Sequence, residues 1–158
     1  MNINTVALPS SLNNQISLSM IKPVMLALGL LLSLFLVNSA SAEFKVQDVS
    51  AYEAIELLEQ NPEIKILDVR TAAEFNSGHV KGAVNLDYFS SDFKANLEKL
   101  DKNATWLVHC QRGPRSGNTM PFLKAAGFTN IIHMRYGFAE WANAGLPVSK
   151  WTDSALMK

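Results

Sequence analysis

From Glu43 onward, short β-branched runs alternate with stretches whose apolar positions recur at helical spacing, the pattern of βαβ units around a parallel sheet. Ser50-Ala51-Tyr52-Glu53 is a capping box that opens a helix predicted to run to about Gln60, with Ala51, Ala54, Ile55, Leu57 and Leu58 on its apolar face. Asn61-Pro62 stops it, because the residue before a proline avoids helical geometry. Ile64-Lys65-Ile66-Leu67-Asp68 reads as a strand, and Thr71-Ala72-Ala73-Glu74 repeats the capping box over a short helix. Gly78 and Gly82 bracket a turn into a strand from Ala83 to Leu86, after which Ser90 or Ser91 is expected to cap a helix reaching about Leu100. Thr105-Trp106-Leu107-Val108-His109 is the most apolar strand of the chain. A helix is predicted from Ser116 to Ala126 with Gly127 ending it, then a strand from Asn130 to Met134, then a closing helix from Phe138 to Ala144 with Gly145 and Pro147 beyond. Trp106, Phe138 and Trp141 are expected in the core, and Trp151 in a tail.

The N-terminal segment follows another grammar. Residues 1–42 contain no acidic residue and one basic residue, Lys22, which precedes the apolar run from Pro23 to Val37 and then Ala40-Ser41-Ala42. A positive n-region, an apolar stretch of roughly 7 to 15 residues and an A-x-A site make a secretory signal, so cleavage after Ala42 and a periplasmic mature protein are expected. The run falls short of the roughly 18 to 20 apolar residues of a spanning helix, so no stable membrane anchor is expected once the signal is cleaved. Residues 1–19 carry no charge and add nothing to the signal, which makes Met20 a candidate start. The leader occupies 1–42 and a single domain 43–158, a length that closes one core unaided.

Charge and cysteine content then narrow the chemistry. Of the 14 basic residues in the chain, the 13 beyond Lys22 face all 14 acidic ones, so the segment from Glu43 carries a formal charge of −1. Without a basic run it is not a general nucleic-acid binder, whose affinity rests on many phosphate contacts. One cysteine excludes both an internal disulfide framework and a cysteine-rich zinc site, and His79, His109, His133 and Cys110 lack short ligand spacing, so no metal is expected.

That cysteine lies in Val108-His109-Cys110-Gln111-Arg112-Gly113-Pro114-Arg115-Ser116, between an apolar strand and a helix. Ligands of open parallel sheets bind outside the carboxyl ends of strands, and a thiol there faces a helix N-terminus whose amides and dipole favour the thiolate. Cys110 is therefore the candidate nucleophile. Arg112 and Arg115 add positive charge, Gly113 lets the loop curl so that its amides point inward, and Ser116 is expected to cap the following helix. Pro114 has no N–H, so it removes one potential donor and stiffens the loop. Asp68 and Arg70, at the end of a predicted strand near the same edge, are expected to form an ion pair or brace the loop. Glu74 is read as a helix cap rather than an acid, His79 as a residue that fixes its turn, and His109 as pointing away from Cys110 because successive strand residues face opposite sides.

Cys110-Gln111-Arg112-Gly113-Pro114-Arg115-Ser116 resembles the C-x-x-G-x-R-S active-site loop of single-domain rhodaneses. Leu67-Asp68-Val69-Arg70, Glu74-Phe75, Gly78-His79-Val80 and Gly82-Ala83-Val84-Asn85-Leu86 are similar to the family's D-x-R-x-x-x-E-F-x-x-G-H-I-x-G-A-x-N-I stretch. Gly137-Phe138-Ala139-Glu140-Trp141 with Gly145-Leu146-Pro147-Val148 resembles its closing G-x-x-x-W-x-x-x-G-x-P-V. The chain also looks like the small secreted rhodaneses of the phage-shock type. The resemblance implies an α/β rhodanese-like fold with a central parallel sheet of about five strands and helices on both faces. It also implies a sulfurtransferase: Cys110 takes the outer sulfur of thiosulfate as a persulfide and gives it to cyanide or a thiol. Gln111, Arg112, Gly113, Pro114, Arg115 and Ser116 would form the substrate cradle, with Arg112 and Arg115 on the donor's sulfonate and Asp68 and Arg70 in support. The chemistry needs no cofactor. Its partners would be a small anionic sulfur donor, a thiol or cyanide acceptor, and room for a periplasmic thiol-redox partner.

Two rival readings stand beside this one. A cysteine phosphatase needs C-x-x-x-x-x-R, which places the arginine where this chain has Ser116; Arg115 falls one residue short. A non-catalytic sulfur carrier or interaction module on the same fold is the rival from another class, since fold alone does not set function.

Overall fold

The computed structural model describes residues 43–150. The leader, its cleavage site, the candidate start at Met20 and Trp151 lie outside the described residues. Both capping boxes form. Ser50 Oγ accepts from the Glu53 amide at the head of α1 (Ala51–Gln60) while the Glu53 carboxylate takes the Ser50 amide at 2.7 Å. Thr71 and Glu74 do the same for α2 (Ala72–Ser77), the Thr71 amide donating to Glu74 at 3.0 Å. Each pair satisfies amides that a helix start would otherwise leave bare.

Five strands make a wholly parallel sheet in the order β1 (Lys45–Val49), β6 (Asn130–Met134), β5 (Thr105–His109), β2 (Lys65–Asp68), β4 (Val84–Asn85). The apolar β5 lies at its centre, covered on both faces, which is why its sequence is a continuous apolar run rather than an alternation. One face packs Leu67, Val108 and Ile131 against α3 (Phe93–Leu97) and α4 (Pro114–Ala125), through Phe93, Leu97 and Leu123. The other packs Ile66, Leu107 and Ile132 against α1 and α5 (Gly137–Asn143), through Ala51, Ala54, Phe138 and Trp141. The α/β architecture with helices on both faces is therefore as the sequence implies, with Trp106, Phe138 and Trp141 buried.

Four details differ from the expectation. The edge strand β1 has no apolar alternation to read, since only Val49 of its five residues is buried. A second, two-stranded antiparallel sheet joins β3 (His79–Val80) to β7 (Val148–Ser149), pieces too short to carry a period. The helix expected from Ser90 or Ser91 begins at Phe93, because Ser90 Oγ accepts from the Asp92 amide and builds a turn instead; beyond Leu97 the chain tightens into i→i−3 turns up to Leu100. Finally, α4 starts at Pro114 and not at Ser116: Gly113 occupies the cap position and Ser116 lies one turn inside.

Candidate active site

The central strand β5 ends at His109, and the chain then turns sharply into α4. Neighbouring elements pin the turn from outside. The Cys110 and Gln111 carbonyls accept from the Phe138 and Ala139 amides at 2.8 and 2.9 Å, so the start of α5 is capped by the loop's own carbonyls. With its carbonyls turned outward, the loop presents amides inward: Gly113 donates to Cys110 Sγ at 3.1 Å, and the Arg112 and Ser116 amides face the same sulfur. Two glycines make this approach possible. Gly113 (φ +102°) has Arg135's carbonyl oxygen where a side chain would begin, and Gly137 (φ +68°) has the Cys110 carbonyl there.

The thiol is 1% exposed. Burial pushes its pKa up, yet the Ser116 amide and hydroxyl and the Arg112 and Gly113 amides outweigh that and hold it below the ordinary thiol value. Pro114 stands at the first position of α4, where its fixed φ suits the helix and an N–H would have no intrahelical acceptor. The Arg112, Gly113 and Ser116 amides reach the sulfur without it. Ser116, expected as a cap, turns inward instead, with Oγ 3.6 Å from Cys110 Sγ and 2.8 Å from the Gly113 carbonyl.

Asp68 and Arg70 both pair and brace. Nη2 and Nε of Arg70 donate to Asp68 Oδ2 at 2.6 and 2.9 Å; Nη2 also donates to the Gly78 carbonyl, and Nη1 to Gln111 Oε1 at 3.2 Å. The guanidinium lies 3.9 Å from the Phe138 ring centre, so Arg70, 1% exposed, joins the end of β2, the α2–β3 turn and the cysteine loop. Asn85 ties this corner further, its side-chain amide donating to the Asp68 and Arg70 carbonyls. Gln111 thus spends its side chain on Arg70 and stands apart from the sulfur.

The two loop arginines differ. Arg115 holds Glu74 in a two-point ion pair, 2.7 Å at each contact, and Arg115 is the first cause that lowers the Glu74 carboxyl to about 2. Arg112 is exposed, and among the described residues its guanidinium has no hydrogen-bond partner. Glu74 caps its helix as the sequence predicts, and it also pairs with Arg115, 41 residues away, which no local pattern marks. His79 stacks on Phe75 and bonds its carbonyl, fixing the turn. His109 is fully buried beside Phe138 on the opposite face from Cys110, and burial pushes its pKa down. Nothing in the sequence pairs His133 with a partner, and the structure brings it to Ser116, 2.9 Å from Oγ.

Residues 50–144 match the model of the rhodanese-like domain, most of the described chain. The chain belongs to the rhodanese-like domain family. It is 32% identical over 106 residues to an uncharacterized protein of Synechocystis, a match that covers 67% of this chain and 58% of that protein's length. It is 36% identical over 93 residues to thiosulfate sulfurtransferase 16 of Arabidopsis thaliana, 52% of this chain and 78% of that one. The crystal structure of a rhodanese-related protein from Thermoplasma volcanium superposes with a TM-score of 0.57 at 25% identity, over 65% of this chain and 97% of that one. Relatives named as sulfurtransferases put the rhodanese-like domain in a sulfur-transfer family.

Proposed function

We propose that this rhodanese-like domain is a thiosulfate sulfurtransferase of the periplasm. Cys110 thiolate attacks the outer sulfur of thiosulfate, the donor's S–S bond breaks, and sulfite leaves with the bonding pair; cyanide or a thiolate then takes the outer sulfur and releases Cys110 as thiolate. The observation that supports this most is the sulfur's setting: a buried thiol ringed by three inward amides at a helix N-terminus, the surroundings that stabilise both a thiolate and the anionic outer sulfur of a persulfide. Arg112, exposed at the loop, meets the sulfonate first, while Arg115 must share its guanidinium with Glu74.

The test is thiocyanate formation from thiosulfate and cyanide by protein beginning at Glu43. Cys110→Ser is expected to abolish turnover. Arg112→Ala is expected to raise KM for thiosulfate by roughly tenfold, the loss of one charge-assisted hydrogen bond, with a smaller change in kcat. Folded protein with a titratable thiol and no turnover would refute the enzyme and leave the non-catalytic sulfur carrier. Expression from Met1 in a Gram-negative host should give periplasmic protein whose N-terminal residue is Glu43; retention in the membrane fraction would refute the cleaved signal.

A further inference from the structure

Behind the thiol a line of polar groups crosses the domain to solvent. Cys110 Sγ lies 3.6 Å from Ser116 Oγ, Ser116 Oγ lies 2.9 Å from His133 Nε2, and His133 Nδ1 lies 2.8 Å from Asp48 Oδ1. Ser116 is fully buried, His133 is 9% exposed, and the Asp48 side chain is 55% exposed. The line runs from the loop through α4 to β6 and β1, whose parallel register sets Asp48 beside His133.

His133 Nδ1 faces a carboxylate, so it carries a hydrogen, and in the neutral ring Nε2 is then an acceptor. The single Ser116 hydroxyl proton thus has three acceptors around it: the Gly113 carbonyl at 2.8 Å, His133 Nε2 and Cys110 Sγ. A proton on Nε2 changes the count. The ring then donates to Ser116 Oγ, one competing acceptor disappears, and the hydroxyl can turn to the sulfur. We propose that Ser116, His133 and Asp48 form a proton relay that draws the Cys110 thiol proton to His133 and leaves the sulfur as a thiolate. The thiol proton passes to Ser116 Oγ as the Ser116 hydroxyl proton passes to His133 Nε2; no bond but these two O–H, S–H and N–H exchanges is made or broken, and no electron changes hands. When the acceptor strips the outer sulfur and Cys110 returns as thiolate, the imidazolium is already in place. The titratable and charged groups facing His133 are Asp48 from β1 and, through Ser116 of α4, the Cys110 thiol with Arg115 beside it. His133 and Asp48 touch no substrate in this scheme and act as positioning residues.

The relay rests on the reading of Cys110 as the nucleophile, but its test needs no sulfur donor. Thiolate absorbance near 240 nm, or the rate of alkylation by iodoacetamide, is followed against pH in the protein beginning at Glu43. His133→Leu and Ser116→Ala are expected to raise the midpoint by about one unit, a roughly tenfold loss of thiolate on the acid side. Asp48→Asn, at an exposed position that keeps the fold, should raise it less, and Ser116→Thr, which restores a hydroxyl, should return it toward wild type. The double variant Ser116→Ala/His133→Leu should shift no further than Ser116→Ala alone, because the two act in series. Unchanged or lowered midpoints in folded His133→Leu and Asp48→Asn, or additive shifts in the double variant, would overturn the relay. Shifted midpoints without thiocyanate formation would instead sink the sulfurtransferase and spare the relay.

Discussion

At the scale of single residues, the site depends on positions where no other side chain serves. Gly137 brings its Cα against the Cys110 carbonyl at a φ of +68°, so Gly137→Ala adds both a steric collision and a left-handed backbone penalty. Its expected cost is about 1–3 kcal/mol in urea unfolding, together with slower alkylation of Cys110 at pH 7, because moving the carbonyl swings the amides off the sulfur. Arg70 is different in kind. It is a buried charge with a carboxylate and a carbonyl as partners, and removing it leaves Asp68 uncompensated at 0% exposure. Arg70→Leu is expected to lose about 3–5 kcal/mol, far more than a surface pair would, and a denaturation midpoint close to wild type would refute the bracing role. The sequence made Cys110, Arg112, Gly113, Arg115, Asp68 and Arg70 legible, since motif and strand end mark them. Nothing local marked Asp48 and His133, which are 85 residues apart and meet only through strand register.

Between elements, the Glu74–Arg115 pair is the tie that joins α2 to α4 across the site. Its linkage to pH has a definite sign. The folded carboxyl is held at about 2 against an ordinary 4.5, so the unfolded chain takes up the proton first, and the stabilisation is complete above about 4.5 and lost as pH falls toward 2. Glu74→Gln is therefore expected to lower Tm at pH 7 and to flatten the fall in Tm between pH 5 and 3; a parallel acid fall in wild type and variant would show that the pair carries no such linkage. A second tie is Glu140 of α5, whose carboxylate accepts from the Ala51 amide at 2.8 Å and so settles the positive end of α1. Helix boundaries were legible where a side chain caps, as at Ser50 and Thr71. They were misread at Ser116, whose hydroxyl is drawn inward by His133 and Gly113 while Gly113 itself turns the chain into the helix.

For the whole molecule, the double-faced parallel sheet determines both stability and where chemistry is possible. Leu67 is fully buried in its centre, so Leu67→Ala should cost about 2–5 kcal/mol with an unchanged m-value, a global loss of stability rather than a local opening. His109 adds a second pH signature. Burial holds its pKa below 6.5, so on acidification the unfolded chain binds a proton that the folded chain refuses, and stability falls as pH drops below about 6.5. His109→Phe should remove that part of the slope in urea titrations between pH 7 and 5. What the sequence by itself determined is what periodicity and local chemistry encode: the α/β class, the main strands and helices, the two capping boxes, and a candidate nucleophile at the end of the most apolar strand. The tertiary structure alone decided which charges meet. Arg115 turns to Glu74, Gln111 to Arg70, and Ser116 to His133, because strand order and register bring together residues that are 17 to 41 positions apart, and a one-dimensional pattern holds no record of distance in space.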